Sequence, residues 1–181
     1  MRLFEATQLV TERLVLRVPQ LEDVDDLLAF VGDDEVMRPI GGEAGGRESA
    51  VAHVELWRRR WAQNGIGQFA VILDGRAIGR VGLVVWDART WTISTLEAAG
   101  AHAEVELGWA LSRAQWGHGY ATEASLAARS WGYADRGIER IVSLIAPDNV
   151  RSQRVAEKLG AAVDQRVECA EGTVDVWVHP R

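Results

Sequence analysis

The spacing of apolar residues along this chain switches between two residues and three to four, and that succession limits the fold more than any single motif. Residues 11–18 alternate Leu14, Leu16 and Val18 with polar neighbours, the period of a half-buried strand, and Pro19 ends the run. Leu21, Val24, Leu27, Leu28 and Val31 then share one face of a helix. Ala50, Val54, Trp57 and Trp61 form the stripe of a second helix, stopped by Asn64 and Gly65. A loop with Pro39, Gly41, Gly42, Gly45 and Gly46 separates the two. From Gln68 the period returns to two: residues 69–73, a tight turn at Asp74-Gly75 and residues 77–86 predict a hairpin. A long polar connection, 87–103, precedes a strand marked by Val105, Leu107, Trp109 and Leu111. Residues 121–134 predict a helix, and the run 141–145 (IVSLI) a strand covered on both faces. Asn149 caps a helix that closes at Gly160, and 163–167 and 174–178 predict a last strand pair. This order predicts one α/β (α+β) domain over residues 1–181. Its sheet is single, mixed and mostly antiparallel, with six to seven strands and about four helices packed on it.

Composition narrows the function classes. The 181 residues are 48% hydrophobic and 25% charged, enough for a sizeable core and unlike a disordered chain. Net charge is −6, shared equally by the two halves, which argues against a DNA-binding role because phosphates demand a basic surface. A lone Cys169 and four scattered histidines provide neither a disulfide framework nor a metal centre. No apolar run approaches the roughly 18 residues of a membrane span. The expectation is a soluble, cytoplasmic protein without membrane or metal partners.

Residues 104–122, EVELGWALSRAQWGHGYAT, hold the most specific information. Period two puts Glu104, Glu106, Gly108 and Ala110 on one strand face, two carboxylates followed by two small residues. Either this is a solvent-facing edge with a glycine bulge, or something other than side chains fills the space beside Gly108 and Ala110. Trp116-Gly117-His118-Gly119-Tyr120-Ala121 then runs into a helix. Two glycines before a helix start can be an ordinary turn, or can aim backbone N–H groups at a phosphate without any lysine. No Gly-Lys-Ser/Thr follows, which excludes a P-loop, and Thr122 stands where a dinucleotide fingerprint needs its third glycine. Past the buried strand, Pro147-Asp148-Asn149-Val150-Arg151-Ser152 places Asn149 and Ser152 at a helix start, as caps or as ligands. The three features in order suggest an extended phosphorylated ligand.

With these segments the chain resembles the GNAT acetyltransferases, most closely the branch that acetylates the N-terminal amine of ribosomal proteins. The resemblance rests on residues 11–17 (TERLVLR), 106–109 (ELGW), 116–124 (WGHGYATEA), 149–152 (NVRS) and 157–160 (EKLG), over nearly the whole chain. It implies acetyl-CoA as acetyl donor, in a cleft where strands part. The backbone of Trp109, Ala110 and Leu111 would pair with the pantetheine arm. The segment Trp116, Gly117, His118, Gly119, Tyr120, Ala121 and Thr122 would hold the pyrophosphate, and Asn149 a pantetheine amide or a water. Trp116 replaces the family's usual Gln or Arg, Ala161 its aromatic, and 87–103 has no counterpart.

Acetyl transfer to an amine requires a base, an aligned attack, oxyanion stabilisation and support for the leaving thiolate. Glu106, inside the matched motif, is the first candidate base and Glu104 the second; an amide near Trp109 would hold the oxyanion. Many relatives protonate the thiolate with a tyrosine after the Asn149 position, but the residues here are Arg151, Ser152, Gln153, Arg154 and Val155, which leaves Ser152. The acidic run Glu22, Asp23, Asp25, Asp26, Asp33, Asp34 and Glu35 is either a solvated face or a field that draws a cationic acceptor. Arg58-Arg59-Arg60 reads as the outer face of its helix. The acceptor is a primary amine, a protein N-terminus in the leading reading; a small amine or aminoglycoside, or a non-catalytic acyl-CoA-binding module, are the alternatives. Monomer and homodimer both stay open.

Overall fold

The computed structural model describes residues 6–170 and 172–181. Among the described residues nine strands and six α-helices follow one another as β1 (Gln8–Val10), β2 (Val15–Arg17), α1 (Val24–Val31), α2 (Asp34–Met37), α3 (Arg47–Asn64), β3 (Gln68–Leu73), β4 (Arg76–Asp87), β5 (Thr92–Ile93), α4 (Leu96–Ala99), β6 (Ala103–Leu111), α5 (Tyr120–Ala134), β7 (Ile141–Ile145), α6 (Val150–Lys158), β8 (Ala162–Cys169) and β9 (Gly172–Val178). They form a single open sheet in the order β1-β2-β3-β4-β6-β7-β9-β8, with β5 paired to β4. All pairings are antiparallel except β6–β7.

The sequence reading of six to seven strands and about four helices is corrected by the shortest elements. β1, β5, α2 and α4 are two to four residues long, too short to display a period. Two of these lie in the connection 87–103. The strand expected over 11–18 contracts to Val15–Arg17, because Thr11 to Leu14 is a turn closed by the Thr11 amide on the Leu14 carbonyl at 2.9 Å. The helix expected from Leu21 opens as a 3-10 turn, Leu21–Asp23, before α1.

Alternation along the strands divides the core between two sheet faces. On one, Ala124, Ala128 and Trp131 of α5 pack on Leu83, Leu107 and Ile141. On the other, Leu27 and Phe30 of α1 and Trp57 of α3 cover Ala70, Ile72, Ala77 and Ala110. Trp61 reaches the first cluster and meets Phe69 edge-on at 4.9 Å. Burial of each such side chain contributes about 1.5–3 kcal/mol.

One join in this sheet is short. β6 and β7 pair only at Val105↔Ile141 and Glu106↔Val142. β6 continues to Leu111 along β4, with no bulge at Gly108. Where the ladder stops, the Ser143 hydroxyl donates to the Leu107 carbonyl at 2.6 Å. Beyond that bond the strands part and leave a cleft open to the edge of β6.

Candidate active site

Two cavities flank the parted strands. The smaller, about 380 Å³, runs along Trp109, Ala110 and Leu111 and past Trp116 to the start of α5. Ser112 donates its amide to Ile78 on β4, while the Leu107 carbonyl points to β7. By alternation the amides of Trp109 and Leu111 therefore face the cleft. Gly117 and Gly119 adopt φ of +79° and +83°, the left-handed conformation that glycine tolerates. From Gly117 to Thr122 no backbone N–H has a partner among the described residues; the first engaged amide is Glu123's, on the Gly119 carbonyl. These six amides and the positive end of a fifteen-residue helix make an anion cradle.

The cradle is braced from outside. The Glu123 carboxylate accepts the Thr11 hydroxyl at 2.6 Å, the Arg13 amide at 2.9 Å and the Arg13 guanidinium at 2.6–2.7 Å. Burial alone would raise its pKa, but these bonds outweigh it and hold the carboxyl below its usual range. Arg13 also donates to the His118 carbonyl and lies over the Tyr120 ring, on which the His118 imidazole stacks. His118 thus turns its side chain away from the cavity, unlike the remaining residues of the segment. On the far wall Arg151, Arg154 and Lys158 share one face of α6. The sequence reading missed them as a set, although their spacing of three and four residues carried the signal. Arg151 lies 4.3 Å over the Trp116 ring.

The larger cavity, about 750 Å³, lies on the α3 side of the sheet and contains Glu106. Trp86 donates its indole N–H to Glu106 Oε2 at 2.6 Å and fixes the carboxylate. Glu104 lines neither cavity; it pairs with Arg140 at 3.2 Å, which also binds Asp164. The two cavities share Trp109, Asn149, Ser152, Arg151, Pro39 and Ile40. At that junction Asn149 Oδ1 accepts the Ser152 amide at 3.2 Å, while its Nδ2 donates to the Pro39 carbonyl at 3.0 Å. Asn149 is therefore both a helix cap and a tie across the cleft mouth. The Ser152 hydroxyl has no hydrogen bond among the described residues.

The charges are distributed differently from the sequence reading. Of the acidic run, Asp23 binds Arg17, Asp25 Arg47, Asp26 Arg76, and Asp34 Arg38, while Asp33 and Glu35 share Arg113. Six of the seven carboxylates are thus neutralised by arginine, which leaves little field to draw a cation. Arg60 is not on the outer face of its helix; it turns into the larger cavity beside Arg80 of β4. Burial lowers the basicity of both, and pushes Arg80 down to about 10 against the opposing pull of Glu106. Arg80 is the one charged residue inside the strand 77–86, a signal that alternation alone does not carry.

A splayed sheet with unpaired amides on one side and a carboxylate-bearing cavity on the other suits a transferase that binds an extended phosphorylated cosubstrate. The family model for the acetyltransferase (GNAT) domain matches residues 13–162, and the chain belongs to that family. It is an acetyl-CoA-dependent N-acetyltransferase. YkkB of Bacillus subtilis is 31% identical over 85% of this chain and 84% of its own length. A solved acetyltransferase from Agrobacterium tumefaciens is 26% identical, with a TM-score of 0.78 over 98% of this chain and 96% of its own. RimL, a ribosomal L7/L12 alpha-N-protein acetyltransferase, shares the fold at a TM-score of 0.74 and 17% identity, over 96% of this chain and 93% of its own. Among the described residues no helix is long and apolar enough to cross a membrane, and no group of metal-ligating side chains occurs.

Proposed function

We propose that the protein acetylates the N-terminal amine of a protein or peptide by direct attack on the acetyl-CoA thioester, with Glu106 as base. The observation that carries this reading is the junction of the two cavities, where Trp109 and Ser152 are reached from both sides and Glu106 lies on the acceptor side only. The amides from Gly117 to Thr122 bind the pyrophosphate, and the open edge of β6 over Trp109, Ala110 and Leu111 pairs with the pantetheine arm. Arg151, Arg154 and Lys158 supply cations for the remaining phosphate. Asn149 contacts the arm after exchanging one of its two present bonds.

Glu106 takes the ammonium proton, directly or through one water, and frees the nitrogen lone pair. That pair attacks the thioester carbon, and the Trp109 amide stabilises the developing oxyanion. As the C–S bond breaks, the Ser152 hydroxyl gives its hydrogen to the departing thiolate and is reprotonated, directly or through one water, by the second proton that the newly acylated nitrogen must lose. A cavity of about 750 Å³ holds the first residues of a peptide. The RimL likeness, which is one of fold, agrees with a peptide acceptor. A small amine fits the same volume, so the test is a panel: thiol release from acetyl-CoA with N-terminal peptides, aminoglycosides and simple amines, with mass spectrometry to locate the acetyl group. Turnover on amines but never on peptides overturns the N-terminal reading. CoA binding without turnover on any amine makes the protein a binding module.

A further inference from the structure

We propose that the acceptor amine carries a carboxylate a few bonds away, and that Arg60 and Arg80 bind this carboxylate beside Glu106. The inference rests on the amine-transfer reading and specifies the chemical class of its acceptor.

Both guanidiniums line the acceptor cavity and lack adequate partners. Arg80 makes no hydrogen bond or ion pair among the described residues, and Arg60 makes one long contact, to Gln68 Oε1 at 3.4 Å. Each guanidinium presents five N–H groups, which need protein or ligand partners once a bound acceptor displaces water. Burial lowers the basicity of both by more than the charge of Glu106 restores. Glu106 is the carboxylate whose charge they feel, and in the Michaelis complex its charge faces the acceptor ammonium. An acceptor without an anion would displace water and leave two neighbouring like charges uncompensated. An acceptor carboxylate removes that repulsion, and the planar fork of arginine matches it with paired hydrogen bonds.

Geometry limits the spacing. A methyl group placed on Gly108 would lie 3.3 Å from Arg80 Nη1 and 3.7 Å from Glu106 Oε1. A ligand seated over Gly108 therefore reaches base and guanidinium together, which fits an amine and a carboxylate separated by two to four bonds. A free amino acid offers that spacing through its α-carboxylate, and a peptide through an acidic first side chain. The cavity's formal charges agree: Arg38, Arg60, Arg80 and Arg151 stand against Glu106 and Asp148.

The two sources are separated by paired acceptors in which an amide replaces the carboxylate, with rates compared per free amine. Free serine is compared with serinamide, and Asp-Ala-Ala-amide with Asn-Ala-Ala-amide, by thiol release from acetyl-CoA. In one of the pairs the acid should exceed its amide at least tenfold in kcat/KM, and that pair names the source. Arg80→Gln and Arg60→Gln should each bring the ratio to within about threefold, and Arg80→Lys should restore part of it. Melting temperature and CoA affinity of each variant report whether it is folded. Calorimetry on the CoA-bound protein with N-acetylserine and N-acetylserinamide, and with the N-acetylated peptides, reads the same preference without turnover. Amides used as well as acids, with transfer proceeding, overturns the carboxylate subsite and leaves the transfer reading intact. Absence of thiol release with every acceptor overturns the transfer reading instead, and calorimetry then decides the subsite: equal binding of acid and amide overturns it, tighter binding of the acid lost in Arg80→Gln supports it.

Discussion

Glu106 accepts the Trp86 indole N–H at 2.6 Å, and it is the side chain on which turnover should depend most. Glu106→Gln keeps the Trp86 bond and the shape of the cavity but removes the proton acceptor. Thiol release should fall 10²- to 10⁴-fold, the usual contribution of a positioned base, with CoA affinity unchanged. Glu104→Gln should stay near the parental rate, because its partner is Arg140 and it lines neither cavity. Equal losses in the two variants would remove the distinction drawn between them. Ser152 poses a finer question, since its amide already belongs to the Asn149 cap while its hydroxyl has no hydrogen bond among the described residues. Ser152→Ala should slow turnover by about tenfold to a hundredfold, or 1.4–2.8 kcal/mol of transition-state stabilisation. The thiolate is a good leaving group, which keeps the effect small. Unchanged turnover in the alanine variant would reduce Ser152 to a surface of the cleft.

The cradle before α5 depends on conformation more than on space. A Cβ at Gly119 would meet nothing closer than Arg13 Nη2 at 3.5 Å, but a β-branched residue resists φ of +83°. Gly119→Val should therefore displace the loop and weaken CoA binding by calorimetry at least tenfold; parental affinity would exclude these amides from the site. Glu123→Gln should act at the same loop from behind, by loosening the Arg13 clamp on the His118 carbonyl. That cradle was legible in the sequence because Gly-x-Gly before a helix start is a local signal, written in adjacent residues. The long strands and α3, α5 and α6 were legible for a related reason, since each displays several periods. Four elements of two to four residues were not, having too few positions to repeat anything. The arginines illustrate a different blindness. Arg60 sits in a run that looks like an exposed helix face, and only the fold turns it towards Arg80, twenty positions away. Ion pairs such as Arg76 with Asp26 are likewise contacts between distant segments, so an acidic run read alone gave no hint of its neutralisation.

Across the whole molecule the sheet is two half-sheets, β1-β2-β3-β4-β6 and β7-β9-β8, joined by two ladder positions, by Arg140 between Glu104 and Asp164 at the surface, and by a buried polar tie. The tie is the chain Leu107 carbonyl, Ser143 hydroxyl, His179 Nε2, with lengths of 2.6 and 2.8 Å. Ser143 has one hydrogen, and giving it to Leu107 obliges His179 to donate from Nε2. Nδ1 is then the bare nitrogen, buried and without a partner, in a residue 4% exposed. A second proton would have to sit on that Nδ1, where nothing accepts it. Burial, aided by the charge of Arg129, accordingly lowers the imidazole from 6.5 to about 4. Above pH 6.5 the imidazole is neutral folded or unfolded and contributes no pH dependence. Between 6.5 and 4 the unfolded chain takes up a proton that the native one refuses, so stability falls as pH falls, and below 4 the loss levels off. At about 1.4 kcal/mol per unit the full effect is about 3 kcal/mol. Carboxylates such as Glu123 add a loss of the same sign at lower pH. The measurement is urea unfolding from pH 7.5 to 4.5 for the parent and His179→Gln, whose amide still donates to Ser143 but does not titrate. The parent's midpoint should drop more steeply through this window, and the variant should lose most of the slope above pH 5. Parallel curves would mean that His179 takes up its proton in the folded protein, and that the join of the half-sheets tolerates a charge.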